Sequence, residues 1–218
     1  MTAIGILGGT FNPVHIGHLR GGIAAREALG LEALRFMPAS LPPLKDAPAV
    51  SASHRMAMLA LALEGLPGLS VDGRELERAG PSYTVDSLRE IRDTMGHTAS
   101  ITFILGGDSV AQLHRWHRWR EITSLVNLAI LSRPGSPEVE DAEVLAWLKE
   151  HELALDQWQH PEKGAVCWLE QPLLDVSSSV LRDMIERRKN VSFLLPPAVI
   201  EYIEVHGLYR FQTCSPAH

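Results

Sequence analysis

A chain of 218 residues with a formal net charge of −6 and a pI near 5.9 is long enough to bury a sizeable core as one α/β domain with a small appendage. The acidic balance excludes broad, sequence-independent nucleic-acid binding, which needs a basic field over much of one face, and leaves room for a small anionic ligand in a local basic pocket. Cys167 and Cys214 form neither a CxxC pair nor a metal-ligand spacing, and MTAIGILGG has no basic start or long apolar run, so the expectation is a soluble, cytoplasmic protein without disulfides or membrane spans.

AIGILGG reads as a short apolar strand ending in glycines, and HLRGGIAAREALG follows as a helix that Gly30 closes. Ala33 to Pro38 is a second strand, followed by the Pro-rich loop LPPLKDAP. The next helix starts near Ser51, runs through Met56, Leu59 and Leu63 on one face, and ends at Gly65. A short strand near Leu69 to Asp72 precedes RELERAGPSYTVDSLREIRDTMG. There Val85, Leu88, Ile91 and Met95 form a helical stripe, Thr84 is the expected cap and Gly96 the stop. SITFILGGD and NLAILSRPG are strands running into turns, and AVCWLEQ is a further strand candidate. Residues 135–164 read as a polar excursion. Two helices end the chain, near Ser178 to Arg188 and Pro197 to His206.

Strands separated by helices imply parallel pairing through right-handed crossovers, hence a doubly wound parallel sheet with helices on both faces. Ligands of such sheets bind beyond the carboxyl ends of the strands. GGTFNPVHIGH, GGDS and SRPG all stand at such ends and are expected to line one crevice.

The first turn carries the clearest chemistry. Gly8 and Gly9 allow close backbone approach, and a helix start offers amides and a positive dipole end, which together favour phosphate. His15 and His18 stand about one turn apart, so both imidazoles can face one anion. Two plainer readings stay open: a capping histidine beside a solvated one, or a zinc site whose third ligand has no recognisable spacing.

GTFNPVHIGHL resembles the signature of the nucleotidylyltransferase superfamily, which shares HIGH-type histidines with class I aminoacyl-tRNA synthetases. The chain is short for a synthetase and has no KMSKS-like loop. RELERAGPSYTVDSL, FILGGDSVAQLHRWHRW, VSSSVLR and YIEVHGLY narrow the resemblance to bacterial nicotinate mononucleotide adenylyltransferases, from about Gly5 to Tyr209 except between Gly135 and Gly164. The resemblance implies a single domain over 1–218 with a Rossmann-like fold and a small C-terminal helical part, about 173–210, carrying VSSSVLR. It implies adenylyl transfer from ATP to nicotinate mononucleotide, giving nicotinate adenine dinucleotide and pyrophosphate in NAD biosynthesis, with Mg²⁺ arriving on ATP and no dedicated protein metal site.

The same resemblance distributes roles. His15, His18 and Arg182 act on the ATP phosphates; Gly8, Gly9, Thr10, Phe11, Gly106, Asp108, Ser177, Ser178 and Ser179 complete the ATP site. Lys45, Tyr83, Thr84, Trp116 and Arg133 take the acceptor, with the Tyr83 and Thr84 amides toward the carboxylate and Trp116 against the pyridine ring. From the residues alone, the serines are an ordinary helix cap, Asp108 caps a helix starting at Ser109, and Arg182 and Arg133 are surface charges. Trp116 and Trp119 would then be core residues. Leu44 departs from the PPHK-like pattern, where histidine is common, and puts the contribution of Lys45 in doubt. Three alternatives remain: another acceptor, nicotinamide mononucleotide or phosphopantetheine; a non-catalytic dinucleotide-binding regulator; and, for assembly, a homo-oligomer.

Overall fold

Six short, largely apolar runs form the frame of the computed structural model, which describes residues 2–40, 50–78, 80, 82–132, 137–170 and 174–210. They are β1 (Ala3–Gly9), β2 (Ala33–Pro38), β3 (Leu69–Val71), β4 (Ser100–Gly106), β5 (Asn127–Ser132) and β6 (Val166–Glu170). Every neighbouring pair is parallel, in the order β3-β2-β1-β4-β5-β6. Strands buried on both faces read as largely apolar runs, and SITFILG is buried from Ser100 to Leu105, its two hydroxyl residues included.

The helices are α1 (Ile16–Ala28), α2 (Ala52–Leu63), α3 (Arg74–Glu77), α4 (Thr84–Met95), α5 (Gly107–Val110), α6 (Ile122–Leu125), α7 (Ala142–His151), α8 (Ser178–Glu186) and α9 (Pro197–Val205). They clothe both faces of the sheet. On one face Leu7, Leu34, Phe36 and Ile104 pack with Ala25 of α1, Met58 and Leu59 of α2, Leu181 of α8 and Val199 of α9. On the other, Ile4, Ile6, Phe103 and Leu105 pack with Leu88 and Ile91 of α4 and Val144 and Trp147 of α7. The expected doubly wound, Rossmann-like sheet is therefore present, and its strand order reverses between β1 and β4. Helices leave that boundary toward opposite faces and open a crevice at the strands' carboxyl ends.

Local signals account for most boundaries. The Ser51 hydroxyl accepts from the His54 amide at 3.3 Å and starts α2. Gly96, at φ +81°, stops α4 in a conformation that a side chain would strain. Two expectations need correcting. Thr84 is the first helical residue of α4, not its cap; Tyr83 occupies the cap position and makes no side-chain capping bond. Asp108 lies inside α5, whose cap position is Gly106, so it does not cap a helix beginning at Ser109.

The expected excursion contains α7, which Asp141 caps by accepting from the Glu143 and Val144 amides at 3.0 Å each. Its return is fastened beneath the sheet. The Ser100 hydroxyl and the Asn127 amide both donate to Pro161 O, at 2.7 and 2.6 Å, and Arg92 donates to Glu162 O at 2.8 Å. Among the described residues, no helix is long and apolar enough to cross a membrane.

Candidate active site

β1 delivers Gly8 and Gly9 to the crevice, and the chain then turns sharply through Phe11, at φ +48°. The two glycines are needed for packing. A Cβ on Gly8 would lie 2.7 Å from the Phe103 ring, and one on Gly9 3.0 Å from the Phe11 ring. The turn is held from below by Arg55, only 1 % exposed, which donates to Thr10 O at 2.8 Å, Ala39 O at 2.6 Å and Ser40 O at 3.1 Å. Thus one guanidinium ties the end of β1 to the end of β2. Burial holds its pKa below the ordinary arginine value. Sequence reading missed this residue, although Arg55, Met58, Leu59 and Ala62 fall at the spacing of one buried helical stripe.

His15 stands at the N-cap position of α1 without capping it through its side chain, and His18 lies within the first turn. Their rings stack with centroids 3.7 Å apart, and Phe11 meets His18 edge-on at 5.0 Å. Gly17 makes room for this pair. A Cβ there would sit 2.9 Å from Val176 and 3.1 Å from the His15 ring.

Val176 introduces the second helix tip. Ser177 caps α8, its hydroxyl accepting from the Val180 amide at 3.3 Å and lying 3.1 Å from the Ser179 hydroxyl. Ser178 donates to Pro13 O at 3.0 Å, and Arg182 to Asn12 O at 2.8 Å. The start of α8 is therefore bonded directly to the turn that precedes α1. Two helix N-termini, two imidazoles, a run of hydroxyls and a half-buried guanidinium converge there, a constellation suited to several phosphate oxygens.

Across β1 lies a cavity of about 360 Å³. Gly8, Gly9 and Thr10 form one wall; Tyr83, Thr84, Asp108 and Trp116 lie in the others. The Asp108 side chain is folded back over Gly106, where a Cβ would lie 2.7 Å from its Oδ1. Trp116 is half-buried and meets Phe103 edge-on at 6.4 Å. Trp119 belongs to the core instead, 6 % exposed and packed edge-on against Trp147 at 5.1 Å.

A second unanticipated residue, Glu75, also lines the cavity at 4 % exposure. It accepts from the Ser87 hydroxyl at 2.8 Å, while its main-chain oxygen accepts from Ser82 at 3.3 Å. Burial pushes its carboxyl above the usual range against the opposing pull of Ser87 and Arg78. The sequence signal was an acid just ahead of the PSYT turn, indistinguishable there from a solvated helix charge. The structure thus brings Gly8, Gly9, Thr10, Tyr83, Thr84, Asp108 and Trp116 to the cavity, and His15, His18, Phe11, Ser177, Ser178, Ser179 and Arg182 to the adjoining helix tips. Lys45 and Arg133 lie outside the described residues. Among the described residues, no group of three or more His, Cys, Asp or Glu side chains could hold a metal ion.

A six-stranded parallel sheet with two helix tips suited to phosphate and an aromatic-walled cavity at its topological switch point has the architecture of a nucleotide-binding α/β protein. Comparison with known proteins narrows this class. Residues 6–184 match the family model described as cytidylyltransferase-like. A Cellvibrio japonicus protein named "Probable nicotinate-nucleotide adenylyltransferase" is 42 % identical over 207 residues, covering 95 % of this chain and 98 % of its own. One of the same name from Aeromonas hydrophila is 42 % identical over 208 residues, covering 95 % and 97 %. The nicotinic acid mononucleotide adenylyltransferase of Plasmodium falciparum, solved in complex with APC, shares the fold with a TM-score of 0.70. It is 16 % identical over 96 % of this chain and 98 % of its own. The chain belongs to the cytidylyltransferase-like family and, within it, to the nicotinate-nucleotide adenylyltransferases.

Proposed function

We propose that the chain transfers the adenylyl group of ATP to nicotinate mononucleotide, yielding nicotinate adenine dinucleotide and pyrophosphate in NAD biosynthesis. One observation carries the reading into chemistry: the phosphate-suited helix tips and the aromatic cavity adjoin the same strand end, Gly8 to Thr10. A nucleotide triphosphate at the tips and a mononucleotide in the cavity can therefore meet across that strand.

In the reaction an oxygen of the acceptor phosphate attacks the α-phosphorus of ATP, the bond to the bridging oxygen of the β-phosphate breaks, and pyrophosphate leaves with that electron pair. The nucleophile is already anionic, so the step demands in-line placement and charge stabilisation more than a general base. His15 and His18 are the imidazole donors to the phosphates. Arg182 supplies guanidinium donors, one of its N–H groups already fixing Asn12 O. The Ser177 to Ser179 hydroxyls and the α8 amides hold further oxygens. Phe11 supports His18, and Gly106 with Asp108 completes the nucleotide side.

On the acceptor side the Tyr83 and Thr84 amides receive the nicotinate carboxylate and Trp116 stacks on the pyridine ring. Lys45 and Arg133 are assigned to the acceptor phosphate. Mg²⁺ fits as an ion carried in on the triphosphate, retaining waters, with the exposed Asp108 as a carboxylate of the cavity wall that could face it. Bound there, it would neutralise phosphate charge. A cytoplasmic setting belongs to the same reading; Cys167 is a buried free thiol whose pKa burial pushes up to about 12, which keeps it unreactive.

The test is product analysis by mass after incubating the chain with ATP, Mg²⁺ and either nicotinate or nicotinamide mononucleotide. Nicotinate adenine dinucleotide and pyrophosphate are expected, with the acid favoured. Preference for the amide would overturn the acceptor; tight binding without pyrophosphate release would point to a regulator.

A further inference from the structure

The motif YIEVHGLY plays no part in the chemistry just described, yet its last residue reaches the centre of the site. The Tyr209 hydroxyl donates to Asn12 Oδ1 at 2.9 Å, 197 residues away in sequence. Asn12 is only 6 % exposed, and its main-chain oxygen is the acceptor for Arg182 at 2.8 Å. Ser178 holds the next carbonyl, that of Pro13, at 3.0 Å. Three side chains from the C-terminal part therefore grip two consecutive residues of the turn, and His15 follows two positions later.

Tyr209 is itself held in place. Its φ is +61°, a left-handed conformation that strains a bulky residue and persists only where the surroundings impose it. The preceding helix α9 is pinned to α2: the Tyr202 hydroxyl and His54 Nδ1 lie 3.0 Å apart, and the His54 ring packs on His206 with centroids at 5.2 Å. The residue after His54 is Arg55, which grips Thr10 O at 2.8 Å. The α2–α9 pair thus reaches the turn from both ends.

We infer that Tyr209 is a positioning residue for adenylyl transfer: its hydroxyl fixes Asn12, and through Asn12 the path of the chain that presents His15, His18 and the Arg182 guanidinium to the nucleotide. The inference rests on the functional reading above. It also separates Tyr209 from Tyr202, which stabilises the same helix pair without touching the turn. Misplacement of reacting groups by a fraction of an ångström slows chemistry while leaving distant binding contacts intact.

The experiment compares Tyr209→Phe with Tyr202→Phe, each losing one hydroxyl. Tyr209→Phe should lower kcat about tenfold while the KM for nicotinate mononucleotide stays within about twofold. Tyr202→Phe should keep kcat. In the ligand-free chain, the imidazole ¹H–¹⁵N resonances of His15 and His18 should shift in Tyr209→Phe and stay put in Tyr202→Phe. Unchanged kcat with unmoved histidine resonances would overturn the inference, as would an equal loss in both variants. If the wild-type chain fails to turn over, the functional reading is what fails, and the histidine resonances decide the positioning role alone. Should Tyr209→Phe fold poorly, Asn12→Ser removes the acceptor with the tyrosine in place, and the same shifts are expected.

Discussion

Replacing Arg55 with methionine keeps much of the side chain's apolar reach but deletes the donors to Thr10 O, Ala39 O and Ser40 O. Hydrogen bonds to a charged group contribute about 1.5–3 kcal/mol each, and a carbonyl stripped of its donor costs about 1–3 kcal/mol when it stays dry. These three belong to half-buried residues, so water can reach them in part and about 1 kcal/mol each is the better figure. Methionine also relieves the burial of a cation, which burial already disfavours. The net expectation is a loss of about 2–3 kcal/mol, or roughly 4–12 °C in thermal midpoint for a chain of this size. The assay is a thermal melt paired with pyrophosphate release at a temperature where the variant is fully folded. Residual kcat should fall as well, since the guanidinium no longer ties Thr10 to the residues that follow β2. A midpoint shift below about 2 °C together with full turnover would refute the reasoning.

Three further outcomes are expected. His18→Ala removes one phosphate donor and should lower kcat about 10²–10³-fold with little change in midpoint; unchanged turnover in a folded variant would remove His18 from the mechanism. Trp116→Ala should raise the acceptor KM roughly tenfold, whereas Trp119→Ala should destabilise by about 3–5 kcal/mol and spare that KM; reversed behaviour would exchange their assignments. For Glu75, the folded carboxyl titrates above its unfolded value because it is buried. Its contribution to stability is therefore full below about pH 4.3 and is lost as pH rises through the folded value. Melts of Glu75→Gln against wild type should show the variant gaining relative stability from pH 4 to pH 8; a constant difference would show that the carboxyl does not carry this cost.

The strands were legible because each apolar run meets a glycine, proline or polar residue where it ends: AIGILGG and ALRFMP match β1 and β2 from end to end, and β4 starts with SITFILGGD and stops at its first glycine. Alternation of strands and helices then implied parallel pairing, and the glycine-rich ends indicated the crevice. What escaped depended on tertiary placement. Arg55 is a cation on an apolar stripe, and only the fold brings three carbonyls to it. Glu75 looks like an ordinary helix charge until α4 supplies Ser87 to it. Thr84 has the chemistry of a cap, yet the helix begins with it because Tyr83 takes the extended backbone, φ −97° and ψ 130°. Within the polar excursion, Val144, Trp147 and Leu148 already form a helical stripe that the surrounding acids obscured. The histidine pair was legible as a motif, whereas the attachment of the preceding turn, Asn12 and Pro13, to α8 spans 165 and 170 residues and follows no local rule.

That long-range attachment also sets when the enzyme can become complete. During synthesis the histidines emerge well before Ser178, Arg182 and Tyr209, so a nascent chain holds the turn at Asn12 and Pro13 before the side chains that fasten it exist. A proteolytic fragment that stops short of α8 would inherit the same deficit, keeping the described strands while lacking the side chains bonded to Asn12 and Pro13.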